Sequence, residues 1–393
     1  MDVLHERCAG LDVHKKTVVA CVRSVGADGG VAREVRTFAT MTADLLALAD
    51  WLAERCVRHV AMESTGVYWK PVWHLLEDRF DLMLVNARHI KQVPGRKTDV
   101  KDAEWIAQLL QHGLLSPSFV PPVPIRELRD LTRQRAQLVA DRSAVANRVQ
   151  KTLEGANIKL ASVASDVLGV SGRAMIAGLI AGEADPGRLA EQARGTLRRK
   201  VDPLRRALEG RVTEHHRFQL RLLMDQLGQL EGLIARLDAR VVEVMGAAPA
   251  GIGDRPPPLR EAADRLATIP GVSTRASEVI VAEIGADMSR FATSGHLASW
   301  AGACPGNDQS AGRRRSGRTT KGSVWLRAML VQVAWAASHT KGTILAESYR
   351  KLARRLGKKK ALVAIGHKIL RVIYEMLKAK VDYVERLQPG QAA

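Results

Sequence analysis

The sequence predicts an α/β N-terminal domain, a long helical middle and a mostly helical C-terminal domain, and three observations carry that division. Apolar residues alternate between period-2 and period-3.6 patterns through the first 115 residues. Two long helical stripes follow. Stretches rich in Pro or Gly punctuate the chain, with Pro117, Pro121, Pro122 and Pro124 in one and Gly246 to Pro258 in the other. The expected organisation is residues 1–116, a linker at 117–124, a helical coiled-coil region at 125–250 and a last domain at 259–388. At 393 residues, 46% of them apolar, the chain is long enough for several real cores.

In the first part, Ala9–Val13, Thr17–Ser24 and Glu34–Thr40 read as strands joined by short turns, one carrying Asp28-Gly29-Gly30. A helix follows from Thr42 to Arg55, with apolar positions at Leu45, Leu46, Ala49 and Leu52. Next come a strand at His59–Glu63, a helix from about Val67 to Arg79, a strand at Leu82–Val85 and a helix from about Asp99 to His112. A three-strand meander followed by αβαβα is the order of a RuvC/ribonuclease H-like domain, in which the first strand, the fourth strand and the last helix meet at one end of the sheet. Four carboxylates fall on those elements: Asp12, Glu63, Asp99 and Asp102. The last two are spaced i, i+3 and share a helix face. Each alone reads equally as a turn cap or a helix-start charge. Together they form a self-repelling cluster, tolerable when a hard divalent cation neutralises it. An all-oxygen set without His or Cys at zinc spacing suits Mg²⁺, and carboxylate-held cations serve phosphoryl chemistry.

The helical middle opens with a stripe of Leu128, Leu131, Leu138, Val145 and Val149. After a less regular Gly/Ala-containing stretch, a second helix is expected from Val201 to Met245. Its residues Leu220, Leu223, Leu227, Leu230, Ile234, Leu237, Val241 and Val244 alternate three and four apart. That heptad seam argues a coiled coil, within one chain or between two. The last domain opens with Ile269-Pro270-Gly271-Val272-Ser273, which reads as a helix-hairpin-helix meeting phosphate or as a structural turn.

Charge points to the partner. The net charge is +19, and between Ser310 and Lys360 there are 14 Lys and Arg against one acid, Glu347, a local balance of +13. Such concentration favours a polyanion, although it constrains the partner and not the chemistry. Within it, the run Ala303 to Gly322 sets serines among Arg313, Arg314, Arg315, Arg318 and Lys321. This loop either grips phosphate or presents a serine nucleophile beside guanidinium groups that stabilise transition-state charge. Spacing does not choose between Ser310, Ser316 and Ser323. The basic stretch from Arg350 to Lys360 reads as a phosphate-contacting surface. Of the seven Trp residues, mostly at apolar helical positions, Trp69 and Trp73 are the pair to consider for base stacking. Four scattered cysteines argue reduced thiols, and without a leader-like segment or a bilayer-length apolar run a cytoplasmic protein is expected.

These motifs resemble the insertion-sequence transposases that pair a RuvC-like DEDD domain with a C-terminal serine-bearing domain, a group related to Piv-type DNA invertases. The resemblance rests on Gly-Leu-Asp at Asp12, Met-Glu-Ser-Thr-Gly-Val-Tyr at Glu63, Lys-Thr-Asp-Val-Lys-Asp-Ala at Asp99 and Asp102, Ile-Pro-Gly-Val at Pro270, and the run from Leu297 to Gly322. It implies that Asp12, Glu63, Asp99 and Asp102 bind Mg²⁺ and that Ser310 is the nucleophile forming a covalent DNA intermediate. It also implies partners: donor and target DNA, an element-encoded guide RNA, and further copies in a homodimer or homotetramer, with no membrane and a bacterial, nucleoid-associated setting during the reaction. Arg313, Arg314, Arg315, Arg318 and Lys321 would hold scissile phosphates or the guide. Two features depart from the family pattern: Ser273 stands in place of a glycine, and Arg313-Arg314-Arg315 follows Ser310. The main rival is a metal-dependent junction resolvase or nuclease that uses water; another is a non-catalytic nucleic-acid scaffold.

Overall fold

The computed structural model describes residues 2–64, 66–86, 90, 102–246, 259–304, 308–310, 313–316, 319 and 322–385. The chain divides into two compact units, Met1–Val120 and Pro121–Ala393.

The first unit is a mixed α/β domain. Its strands are β1 (Arg7–Val13), β2 (Thr17–Val25), β3 (Val31–Ala39), β4 (His59–Glu63) and β5 (Asp81–Val85), in the spatial order β3-β2-β1-β4-β5. The meander β1-β2-β3 is antiparallel, while β4 and β5 run parallel to β1. This order is consistent with a RuvC-like domain. Helices α1 (Thr42–Glu54) and α2 (Trp69–Leu76) cover one face, burying Leu45, Leu48, Leu52, Val72 and Leu76 against Leu11, Val13 and Met62. Helix α3 (Asp102–Gln111) covers the other face through Trp105, Ile106, Leu109 and Leu110. Period 2 in β1 thus sends Leu11 and Val13 to α1 and α2, and Cys8, Gly10 and Asp12 to α3.

The approach of α3 depends on small residues. A Cβ on Gly10 would stand 2.3 Å from Ala107 N and 2.4 Å from Ala103 O. Gly10 therefore lets the helix backbone lie directly on β1, with Ala103, Ala107 and Cys21 filling the seam.

The second unit is mostly helical. Helices α4 (Val123–Gly155) and α8 (Glu214–Gly246) are each 33 residues long. They run antiparallel, because Arg135 bonds Asp238 at 3.0 Å while Arg142, further along, bonds Glu231 at 3.0 Å. Along α8, Leu220, Leu227, Ile234 and Val241 are buried at every seventh residue, while Leu223, Leu230 and Leu237 are half-buried. Pro124 sits in the first turn of α4, where no amide is needed, so the helix begins one residue before the expected linker ends.

The long helix expected from Val201 is two helices, α7 (Val201–Ala207) and α8. Gly210 lies between them, and a Cβ there would stand 2.5 Å from Ala156 O, so the chain turns back against the end of α4. The stretch expected to be less regular is packed structure. It holds α5 (Val170–Ala181), α6 (Pro186–Ala190) and a 3-10 turn at Gly195–Lys200, around Leu160, Ile176, Leu179, Leu189 and Leu204.

The C-terminal part holds α9 (Leu259–Ala267), α10 (Thr274–Ile284), α11 (Ser294–Trp300), a short hairpin of β6 (Asp308–Ser310) and β7 (Arg313–Ser316), then α12 (Val324–His339), α13 (Ile344–Leu356) and α14 (Lys358–Ala379). Between α9 and α10, Gly271 has φ +88°, and a Cβ would meet Ala337 N at 2.4 Å. Ser273 caps α10 by accepting from Ala276 N. That turn is packed against α12 of the same chain, which accounts for its glycine and its serine structurally. Among the described residues no helix is long and apolar enough to cross a membrane.

Candidate functional site

Asp12 and Glu63 stand at the carboxyl ends of neighbouring parallel strands. Leu11 pairs with Met62, which puts the next residues, Asp12 and Glu63, side by side on the α3 face. Asp102 opens α3 beside Ala103, the residue seated on Gly10. Strand register and the Gly10 contact therefore bring three of the four expected carboxylates to one end of the sheet. The fourth, Asp99, lies outside the described residues.

Electrostatics mark Asp12 as the strained member. Burial raises its pKa, and the negative charge of Asp102 raises it further, while His14 pulls it down. His14 Nε2 lies 3.1 Å from Asp12 Oδ2. The histidine was missed in the sequence, although its signal was present: two residues beyond Asp12 on an extended segment, it falls on the same face. Among the described residues no three His, Cys, Asp or Glu side chains already form a closed metal cluster. The donor set fits a hard cation all the same: it is all carboxylate oxygen, and a divalent charge would offset both the burial and the Asp102 charge that raise the Asp12 pKa. The nearby thiols are not available as ligands. Burial pushes Cys8 up to about 12 and Cys21 up to about 11, so both stay protonated.

Trp69 and Trp73 pack edge to face at 5.9 Å against the core, and Trp73 Nε1 donates to Glu77 at 2.9 Å. They serve packing here.

The second constellation lies in the C-terminal unit. Ser310 ends β6 and is the register partner of Arg313 in β7; Gln309 pairs with Arg314. Arg315 also lies in β7, whereas Arg318 and Lys321 lie outside the described residues. Both ends of the segment carrying this hairpin are fixed. A Cβ on Gly322 would lie 2.3 Å from the Ala301 carbonyl carbon, so the two ends touch backbone to backbone. Ser323 caps α12 through Leu326 N, and its hydroxyl donates to Glu283 Oε2 at 2.9 Å. Ser323 is thereby engaged as a cap.

Glu283 was also missed by the sequence reading. It is 1% exposed and takes two hydrogen bonds from Arg133, at 2.8 and 2.9 Å. Arg129, pushed down to about 10 by burial, donates its Nε to Ala282 O and lies near the same carboxylate. Arg129 and Arg133 also stand over the rings of Trp300 and Trp325, the residues flanking the segment. Its signal was an acid inside the apolar run Val279-Ile280-Val281-Ala282-Glu283-Ile284.

Comparison with known proteins gives two matches. A family model of DEDD transposases of the IS110 type, described as Transposase, matches residues 9–158. A second, described as Transposase IS116/IS110/IS902 family, matches residues 263–350. The first spans Asp12, Glu63, Asp99 and Asp102, and the second spans Ser310 and Glu283. No curated protein matches the chain significantly.

Proposed function

The chain belongs to the DEDD transposase family of IS110 type, enzymes that cleave and rejoin DNA, and on that premise we propose an RNA-guided recombinase that excises and inserts an insertion sequence by serine attack on DNA phosphates. The observation that carries the proposal is the convergence of Asp12, Glu63 and Asp102 at one end of the sheet.

In this reading Asp12, Glu63 and Asp102, with Asp99, hold Mg²⁺. When bound, the ion supplies charge to a phosphate and its reacting oxygens. Strand register sets the backbones of Asp12 and Glu63 side by side at the strand ends, which favours their joint action. Ser310 Oγ attacks phosphorus: a serine–phosphate bond forms, the bond to the leaving sugar oxygen breaks, and that oxygen leaves as a hydroxyl carrying a proton. A hydroxyl of the new partner strand then reverses the step and frees the serine. Arg313, Arg314, Arg315, Arg318 and Lys321 neutralise phosphate charge around it. An RNA encoded by the element selects donor and target, and copies of the chain assemble around them. The family resemblance and the cationic excess of the C-terminal unit support these last two elements. Strand exchange by wild type, Asp12→Asn and Ser310→Ala tests the reading. Both variants lose exchange and keep nucleic-acid binding; exchange retained by Ser310→Ala defeats the nucleophile and favours water-based cleavage.

A further inference from the structure

Neither family match reaches residues 159–262, and within them the structure builds a closed module between α4 and α8. Lys159 N donates to Ala207 O at 2.7 Å and Arg211 N to Ala156 O at 2.9 Å, tying the module's start to its end. Leu160, Ile176, Leu179, Leu189, Leu204 and Leu208 form its core. It is thus a folded excursion, and its surface is not dictated by the two helices that carry it.

That surface is cationic in one place. Residues 194–206 hold Arg194, Arg198, Arg199, Lys200, Arg205 and Arg206 against a single acid, Asp202. All six cations are exposed, while Leu204 and Ala207 anchor the segment inward. Among the described residues none of the five arginines makes an ion pair, and Lys200 Nζ bonds only the Val163 carbonyl, at 3.3 Å. A cavity of about 390 Å³ opens beside the run, edged by Ser165, Arg194, Thr196 and Lys200. Asp166, also at its edge, is engaged with the Leu168 amide at 3.0 Å. Some arginines elsewhere in this unit are paired, as Arg142 and Arg173 are with Glu231 and Arg188 with Glu183, and others such as Arg148, Arg221 and Arg236 stand singly among the described residues; what sets this run apart is six exposed cations within thirteen residues. A run of like charges left unpaired on a rigid support repels itself, and a polyanion relieves that repulsion.

We propose that this module is a separate nucleic-acid grip, which binds the sugar–phosphate backbone of a duplex without reading its sequence. The inference rests on the chain's handling of DNA and not on its serine or metal chemistry. Full-length protein and the variant R198Q/R199Q/R205Q/R206Q are compared by fluorescence anisotropy on a DNA duplex and on an RNA hairpin, across about 50–200 mM salt. The expected result, on one probe or both, is a log–log salt slope shallower by roughly three to four, about 0.9 per lost phosphate contact, and affinity at least about tenfold weaker. Which probe weakens identifies the backbone held. The matched Arg→Lys variant keeps binding, since a phosphate takes either cation as a charge. Unchanged slope and affinity on both probes overturn the proposal, as does equal loss in the Lys variant, which would mark the arginines as structural. Strand exchange lost in Ser310→Ala stands or falls separately from either result.

Discussion

Two buried or half-buried carboxylates, Asp12 and Glu283, are handled in opposite ways. Glu283 is neutralised inside the protein: it has a bidentate arginine, a second guanidinium nearby and a serine hydroxyl on the same carboxylate. Asp12 is set beside the like charge of Asp102 and answered by a single imidazole. A satisfied carboxylate ties elements together, whereas one half-buried beside a like charge, with one imidazole as its partner, is suited to a further partner from outside the chain. The difference separates an anchor from a candidate centre without reference to any relative.

The sharpest way to break the comparison is Glu283→Ala. It strands the partly buried guanidinium groups of Arg129 and Arg133, and a loss of about 3 kcal/mol in urea unfolding is expected; Asp12→Ala should cost far less. Added Mg²⁺ tests the other side. Wild type should gain stability, about 2.7 kcal/mol at a hundredfold excess over its dissociation constant, and melt higher, while Asp12→Asn should show no gain. Gly10→Ala comes next, since its Cβ would drive α3 off β1. Overpacking of this kind costs about 1–3 kcal/mol, and the displaced Asp102 should cost the Mg²⁺ response as well. Ser323→Ala removes a helix cap and one bond to Glu283, for about 1 kcal/mol, without touching the Mg²⁺ response.

The smallest effect concerns pH. Without divalent ions the folded-state pKa of Asp12 lies above its unfolded value, mainly through burial. The folded protein therefore binds the extra proton, and stability falls as pH rises from the ordinary aspartate range through the raised value. Melting curves across that range should decline more in wild type than in Asp12→Asn.

Much of the first unit was legible because its signals are local. Period 2 gave the strands, and the placement of Asp12, Glu63 and Asp102 on β1, β4 and α3 followed from element order. The contact that draws α3 down was not legible, since Gly10 meets Ala103 and Ala107 far along the chain. The second unit was read less well for the same reason. The heptad run of α8 was visible, but the break at Gly210 depends on Ala156, and the fold of 159–207 on a core without simple periodicity. Glu283 gave only the oddity of an acid in an apolar run, and its arginines lie 150 or more residues away. Asp99, Arg318 and Lys321 remain readings of the sequence.

The most direct test of the serine mechanism is a search for DNA covalently bound to protein. Wild type and Ser310→Ala are incubated with Mg²⁺, the element-derived RNA and end-labelled donor DNA, then denatured and resolved. The account predicts a labelled adduct with wild type that vanishes in Ser310→Ala. Cleaved DNA with free ends in both proteins would contradict it.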